Sequence, residues 1–170
     1  EIRVGRQLGG STVGLIGYGR ISRALAPVLT QLGMTVLVSD PYAQVDDPRF
    51  VKLPMGDLLA RADYVICLAI ANEETENLLD AEAFARMKPD AFFINMSRGN
   101  LVDEAALAKV LAEGRIAGAA MDVGRAPDQM PSPELASLPN VIATPHIGGL
   151  TPPASESQAI DRAKDVSFAI

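Results

Sequence analysis

With 170 residues, 48% hydrophobic and 21% charged, the chain has ordinary globular composition and enough length to bury one sizeable core. Its net charge of -6, from 15 basic and 21 acidic residues, comes without a basic cluster, which argues against nucleic acid and against a membrane surface as partner. The only cysteine, Cys67, cannot close an internal disulfide, and the apolar run around it (64–71) is too short to span a bilayer, so a reducing, cytoplasmic setting is expected.

The first six residues show neither an initiating Met nor a charged-then-apolar leader pattern, so the chain reads as one domain of something longer. Short apolar runs then alternate with segments of helical spacing. Strands are predicted at 12–16, 35–39, 64–68, 91–95, 117–122 and 141–143, each a continuous rather than an alternating apolar run, as in strands covered on both faces. Helices are predicted at 20–31, 55–61, 81–87 and 104–113, the last with Asp103 as N-cap and Gly114 as its stop. The alternation predicts an α/β domain, a doubly wound parallel sheet spanning 1–170.

The first strand runs into Gly17-Tyr18-Gly19-Arg20-Ile21-Ser22 and then a helix, so a glycine-rich turn lies at a helix N-terminus where backbone N–H groups cradle a pyrophosphate. Ser22 stands where a third glycine is usual, and it is small enough for close helix packing. Asp40 closes the second strand at the offset where an acidic group bonds the adenosine ribose. The pair makes the sheet Rossmann-type. An Asp there repels a 2′-phosphate and Pro41-Tyr42 brings no basic residue, so NAD is expected rather than NADP.

Two strand ends carry further chemistry. Asn95-Met96-Ser97-Arg98-Gly99 places Arg98 at the carboxyl end of a strand, where ligands bind in such sheets. Its guanidinium fork matches a substrate carboxylate, the competing role being an ion pair with Asp103 or Glu104. The only histidine, His146, follows the run 141–143 in Thr144-Pro145-His146-Ile147-Gly148-Gly149. Imidazole can give or take a proton near neutral pH, though a loop His bonded to backbone is the plainer reading.

Taken in order, these segments resemble the NAD-binding domain of the D-isomer-specific 2-hydroxyacid dehydrogenases. The likeness runs from Val13-Gly14-Leu15-Ile16-Gly17-Tyr18-Gly19 through Ile94-Asn95-Met96-Ser97-Arg98-Gly99 and Ala120-Met121-Asp122-Val123 to Thr144-Pro145-His146. It implies an oxidoreductase that moves a hydride between NAD(H) and a small 2-hydroxy or 2-oxo acid, with Arg98 holding the carboxylate and His146 transferring the proton. By the same resemblance Arg20 and Ile21 lie along the pyrophosphate, and Asp122 contacts the nicotinamide carboxamide. Met96, Ser97, Gly148 and Gly149 line the nicotinamide end, and a homodimer through this domain is implied.

Two departures qualify the likeness. The family's Glu, in Asp-Val-aromatic-x-x-Glu-Pro, is missing from Asp122-Val123-Gly124-Arg125-Ala126-Pro127, which is one residue shorter. Asp128 or Glu134 could replace it from the loop 127–133, although a loop so rich in proline reads more simply as a surface excursion. A substrate domain flanking both ends is expected beyond this chain, with 153–170 starting a helix back towards it. The rival function is a non-catalytic dinucleotide-sensing or scaffold module of the same fold.

Overall fold

The computed structural model describes residues 5–151, so the helix expected from residue 153 lies outside the described residues. Seven parallel strands form one sheet in the order β3-β2-β1-β4-β5-β6-β7. They are β1 Thr12–Ile16, β2 Thr35–Ser39, β3 Phe50–Lys52, β4 Tyr64–Cys67, β5 Phe92–Asn95, β6 Gly118–Met121 and β7 Val141–Ala143. The connecting helices are α1 Arg20–Gln31, α2 Met55–Arg61, α3 Ala81–Arg86, α4 Glu104–Ala112 and α5 Pro133–Ala136. The chain winds outwards from β1 to β3, then returns to β4 beside β1. That reversal opens a crevice at the carboxyl ends of β1 and β4.

The doubly wound α/β sheet is therefore present, and its expected strands and helices agree to within a residue at each end. Asp103 caps α4 by accepting from the Ala106 N–H at 3.0 Å, and Gly114 ends that segment at φ +64. Two elements were unexpected. β3 is a three-residue edge strand paired only with β2, too short to show a period. α5 is a single turn capped by Ser132, with Pro133 at its start and Leu135 fully buried. The loop before it is thus more than a surface excursion, because Pro131 is buried as well.

Apolar side chains divide between the two faces. On one, α1 brings Ala26 and Leu29 against Val13, Leu15, Val36 and Val38; on the other, α2, α3 and α4 bring Leu58, Phe84 and Leu107 against Leu37, Val65 and Phe93. Gly14 lets α2 seat closely on β1, since a Cβ there would lie 2.3 Å from Leu58 Cδ2. Cover on the α1 face fades beyond β1: among the described residues Ile66 and Ile94 are half-buried, and Ile142 on β7 is 69% exposed. Burial of both faces holds for the central strands only.

Candidate active site

Glycines at the end of β1 meet two different demands. At Gly17, φ is +87 and a Cβ would sit 2.6 Å from Ala69 Cα, so the protein itself excludes a side chain. At Gly19 a Cβ would point into open space, so the packing does not require glycine there, whereas a ligand pressed against the backbone would. Gly19 is also the N-cap of α1, which has no side-chain cap and no acidic residue in its first turn. The helix's first N–H groups and its positive end are left for an anion. Arg20 and Ile21, both exposed, open this turn. Ser22 is fully buried and donates its hydroxyl to the Gly17 carbonyl at 2.6 Å, so the third position braces the loop as well as packing closely.

Asp40 lies directly beside that loop. Its Oδ2 accepts the Tyr18 N–H at 2.7 Å, and its Oδ1 accepts the N–H groups of Tyr42 and Ala43, both at 2.9 Å. Burial pushes the carboxyl's pKa up, but these three bonds and the charge of Lys52 more than offset it, leaving the group below the ordinary carboxylate range. A carboxylate has about four acceptor positions, so one remains for a ribose hydroxyl. A cavity of about 920 Å³ runs from Gly17 and Gly19 past Asp40 and Tyr42 to Ile70 and Leu78. An anion cradle, a ribose acceptor and an apolar slot in one cavity fit the phosphate, ribose and adenine of a dinucleotide. Cys67, just below it, is buried with its thiol pushed up to about 11, and is inert as a nucleophile.

At the end of β5, Asn95 is completely buried and holds the turn that presents Arg98. Its Nδ2 donates to the Arg98 carbonyl at 3.0 Å and its Oδ1 accepts the Ser97 N–H at 3.1 Å. Ser97 ties the turn to the next loop by donating to the Ala69 carbonyl at 2.6 Å. Arg98 itself is exposed and, among the described residues, donates only to the Ser97 carbonyl. Neither ion pair that competed for it is formed: Asp103 caps α4, and Glu104 accepts from the Arg125 backbone N–H. Sequence reasoning passed over Asn95, whose signal was a polar residue closing an apolar strand three positions before the arginine.

His146 adopts a left-handed backbone, φ +51, uncommon for a residue with a side chain. The turn is gripped by Asp122, 4% exposed at the end of β6. Asp122 Oδ1 accepts from Thr144 Oγ1 at 2.6 Å and from the Ile147 N–H at 3.0 Å, while Oδ2 accepts the Gly148 N–H at 2.8 Å. Burial raises the pKa of Asp122, yet the bonds from Thr144, Gly148 and Ile147 and the charge of His146 outweigh burial and hold it below the usual range. A Cβ on Gly148 would meet both Asp122 Oδ2 and the Met96 methyl at 2.9 Å, so Met96, Asp122 and Gly148 pack as one group; at Gly149 a Cβ would meet nothing.

The shortened segment after Asp122 packs against the 99–102 turn. Gly124 lies so close over Gly99 that a Cβ on Gly99 would be 2.1 Å from the Gly124 carbonyl carbon. Arg125 then reaches the Val102 and Asn100 carbonyls, Asn77 and the Glu76 carboxylate. Asp128 accepts the Met130 N–H in its own turn, and Glu134 sits in the first turn of α5; no hydrogen bond or ion pair joins either to His146. Asp122 is the carboxylate whose pKa senses the His146 charge. Among the described residues no cluster of His, Cys, Asp and Glu could hold a metal, and no helix is long and apolar enough to cross a membrane.

A glycine cradle, a ribose acceptor and two polar strand ends on one edge of a parallel sheet define a dinucleotide-binding domain of oxidoreductase type. Residues 1–148 match the D-isomer specific 2-hydroxyacid dehydrogenase, NAD binding domain, and the chain belongs to that family. It is 37% identical over 169 residues to D-3-phosphoglycerate dehydrogenase of Mycobacterium tuberculosis, covering 98% of this chain and 32% of that protein. With (S)-sulfolactate dehydrogenase of Chromohalobacter salexigens it shares 38% over 157 residues, 90% of this chain and 51% of the relative. The crystal structure of D-lactate dehydrogenase with NAD+ from Lactobacillus jensenii superposes with a TM-score of 0.82 at 32% identity, covering 89% of this chain and 50% of that one. The chain thus spans about a third to about half of the length of these relatives.

Proposed function

We propose that this domain serves an NAD-dependent D-2-hydroxyacid dehydrogenase in which Arg98 binds the substrate carboxylate and His146 moves the proton. The observation that carries the reading is an exposed arginine without an ion pair among the described residues and the only histidine, set after the carboxyl ends of β5 and β7, the two strands that flank β6. Gly17, Gly19, Arg20 and Ile21 would hold the pyrophosphate and Asp40 the ribose. Asp122 Oδ2 keeps an acceptor position for the carboxamide, with Met96, Ser97, Gly148 and Gly149 around it. When bound, the cofactor supplies or accepts the hydride.

In reduction Arg98 fixes the 2-oxo acid by a bidentate pair, which orients its carbonyl, and His146 donates a proton to the carbonyl oxygen as it becomes a hydroxyl. In oxidation the imidazole takes that proton back. A substrate unit supplied outside this chain would close the site and exclude water, so the chain alone should bind cofactor and turn over little substrate. The same reading makes the whole protein a cytoplasmic homodimer that pairs through this domain.

A non-catalytic dinucleotide-sensing or scaffold module is the second reading, favoured by the missing Glu and by the local bonding of Asp128. The two are separated by following NADH consumption by the whole enzyme across glyoxylate, hydroxypyruvate, pyruvate and 3-phosphohydroxypyruvate. Turnover that falls at least about a hundredfold in His146→Ala supports proton transfer, a typical size for loss of a general acid. Equal rates in the variant, or none in the parent with any acid, would leave the binding module standing.

A further inference from the structure

The sequence places no basic residue next to Asp40, but the fold does. Lys52 ends β3, and the register Val38↔Lys52 sets it level with Val38, two residues before Asp40 and one strand outward. It lines the dinucleotide cavity together with Asp40, Tyr42 and Ala43, and its ammonium donates to the Ala43 carbonyl at 2.7 Å, three residues from Asp40. Two of the three N–H groups on Asp40 come from the 42–43 turn that Lys52 also grips. The ribose end of the cavity therefore carries one negative and one positive side chain, and the negative one is already engaged by three donors.

We infer that Lys52 sets the cofactor preference of this site: it offsets Asp40 and offers an ammonium to a 2′-phosphate, so the domain takes NADP(H) as well as NAD(H). The inference rests on the cofactor-site reading above and extends it to the phosphorylated ribose. A single lysine held to a carbonyl keeps two further N–H donors, enough to meet a phosphate oxygen without leaving its anchor. Asp40 with its three backbone bonds keeps the ribose hydroxyl acceptor, so NADH remains a ligand. Removing the ammonium leaves Asp40 alone against the 2′-phosphate, and the phosphorylated cofactor should lose more affinity than NADH.

Calorimetric titration of the full chain with NADH and NADPH tests this directly, using Lys52→Met to keep the stem and Lys52→Arg to keep the charge. The expected result is measurable binding of both cofactors by the parent, and a drop of about tenfold or more for NADPH in Lys52→Met, the scale of one charge-assisted contact. NADH affinity should fall by a smaller factor than NADPH affinity, because Lys52 also grips the 42–43 turn that supports Asp40, and Lys52→Arg should retain NADPH binding. An unchanged NADPH to NADH ratio in Lys52→Met, or no NADPH binding by the parent, overturns the inference while leaving NAD binding intact. Failure of the parent to bind NADH overturns the cofactor-site reading and the inference together.

Discussion

Removing the Asp122 carboxylate tests how the His146 turn is held. Three donors, Thr144 Oγ1, Ile147 N–H and Gly148 N–H, converge on a side chain that is 4% exposed. Hydrogen bonds to a charged group are worth about 1.5–3 kcal/mol each, but Ile147 and Gly148 lie near solvent and can recover water, so Asp122→Ala should cost about 2–4 kcal/mol in total. Asp122→Asn keeps an acceptor for Thr144 and Ile147 and turns an amide N–H against the Gly148 N–H, so its cost should be about 1–2 kcal/mol. At roughly 2–4 °C per kcal/mol for a chain of this size, the alanine variant should melt about 5–15 °C below the parent. The pKa of Asp122 is depressed in the folded protein, so its contribution is full above the unfolded carboxylate value of about 4 and disappears as pH falls through the folded value. Urea denaturation at pH 7 and at pH 3 should therefore show the gap between parent and Asp122→Asn narrowing in acid. A gap below about 0.5 kcal/mol for Asp122→Ala at pH 7, within the range of ordinary surface substitutions, would refute the latch. So would a parent-to-Asn difference that does not change between the two pH values.

The other predictions concern the loops on either side of that turn. Gly17→Ala meets both φ +87 and a Cβ only 2.6 Å from Ala69 Cα, so it should destabilise the domain by about 2–4 kcal/mol and abolish NADH binding at temperatures where the fold persists. Melting and calorimetry check it, and normal cofactor affinity in the folded variant would contradict the cradle. Asn95→Ala strips partners from the Ser97 N–H and the Arg98 carbonyl, at a cost of about 2–4 kcal/mol. In the whole enzyme it should raise KM for the 2-oxo acid more than KM for NADH, because it loosens Arg98; equal effects on both would mean that Asn95 serves the fold only.

Much of this was legible in the chain because each feature had a local cause. The runs 12–16 and 35–39 do not alternate because β1 and β2 lie in the covered middle of the sheet, and Asp103 and Gly114 mark α4 by capping chemistry that acts within one turn. Asp40 could be placed by its distance from Gly17, since strand, helix and strand lengths fix that spacing. Lys52 could not, because β3 is too short to show a period and its pairing with β2 is made across the fold. The partners of Asp122 were equally hidden: their separations of 22 to 26 residues are set by where β7 returns beside β6. Ala126 before Pro127, where the family has a Glu, is visible in the sequence itself. The destination of Arg125, among Glu76, Asn77, Asn100 and Val102, required the loops to be in place.

Arg98 and His146 carry the central claim, and one comparison addresses both. Pre-steady-state NADH oxidation by the whole enzyme with a saturating 2-oxo acid, across pH 5–9, should give a burst in the parent that is lost in His146→Ala and slowed in Arg98→Met. Both variants should still bind NADH with the parent's affinity. An equal burst in His146→Ala at every pH, or loss of NADH binding as the sole defect in both variants, would contradict the assignment.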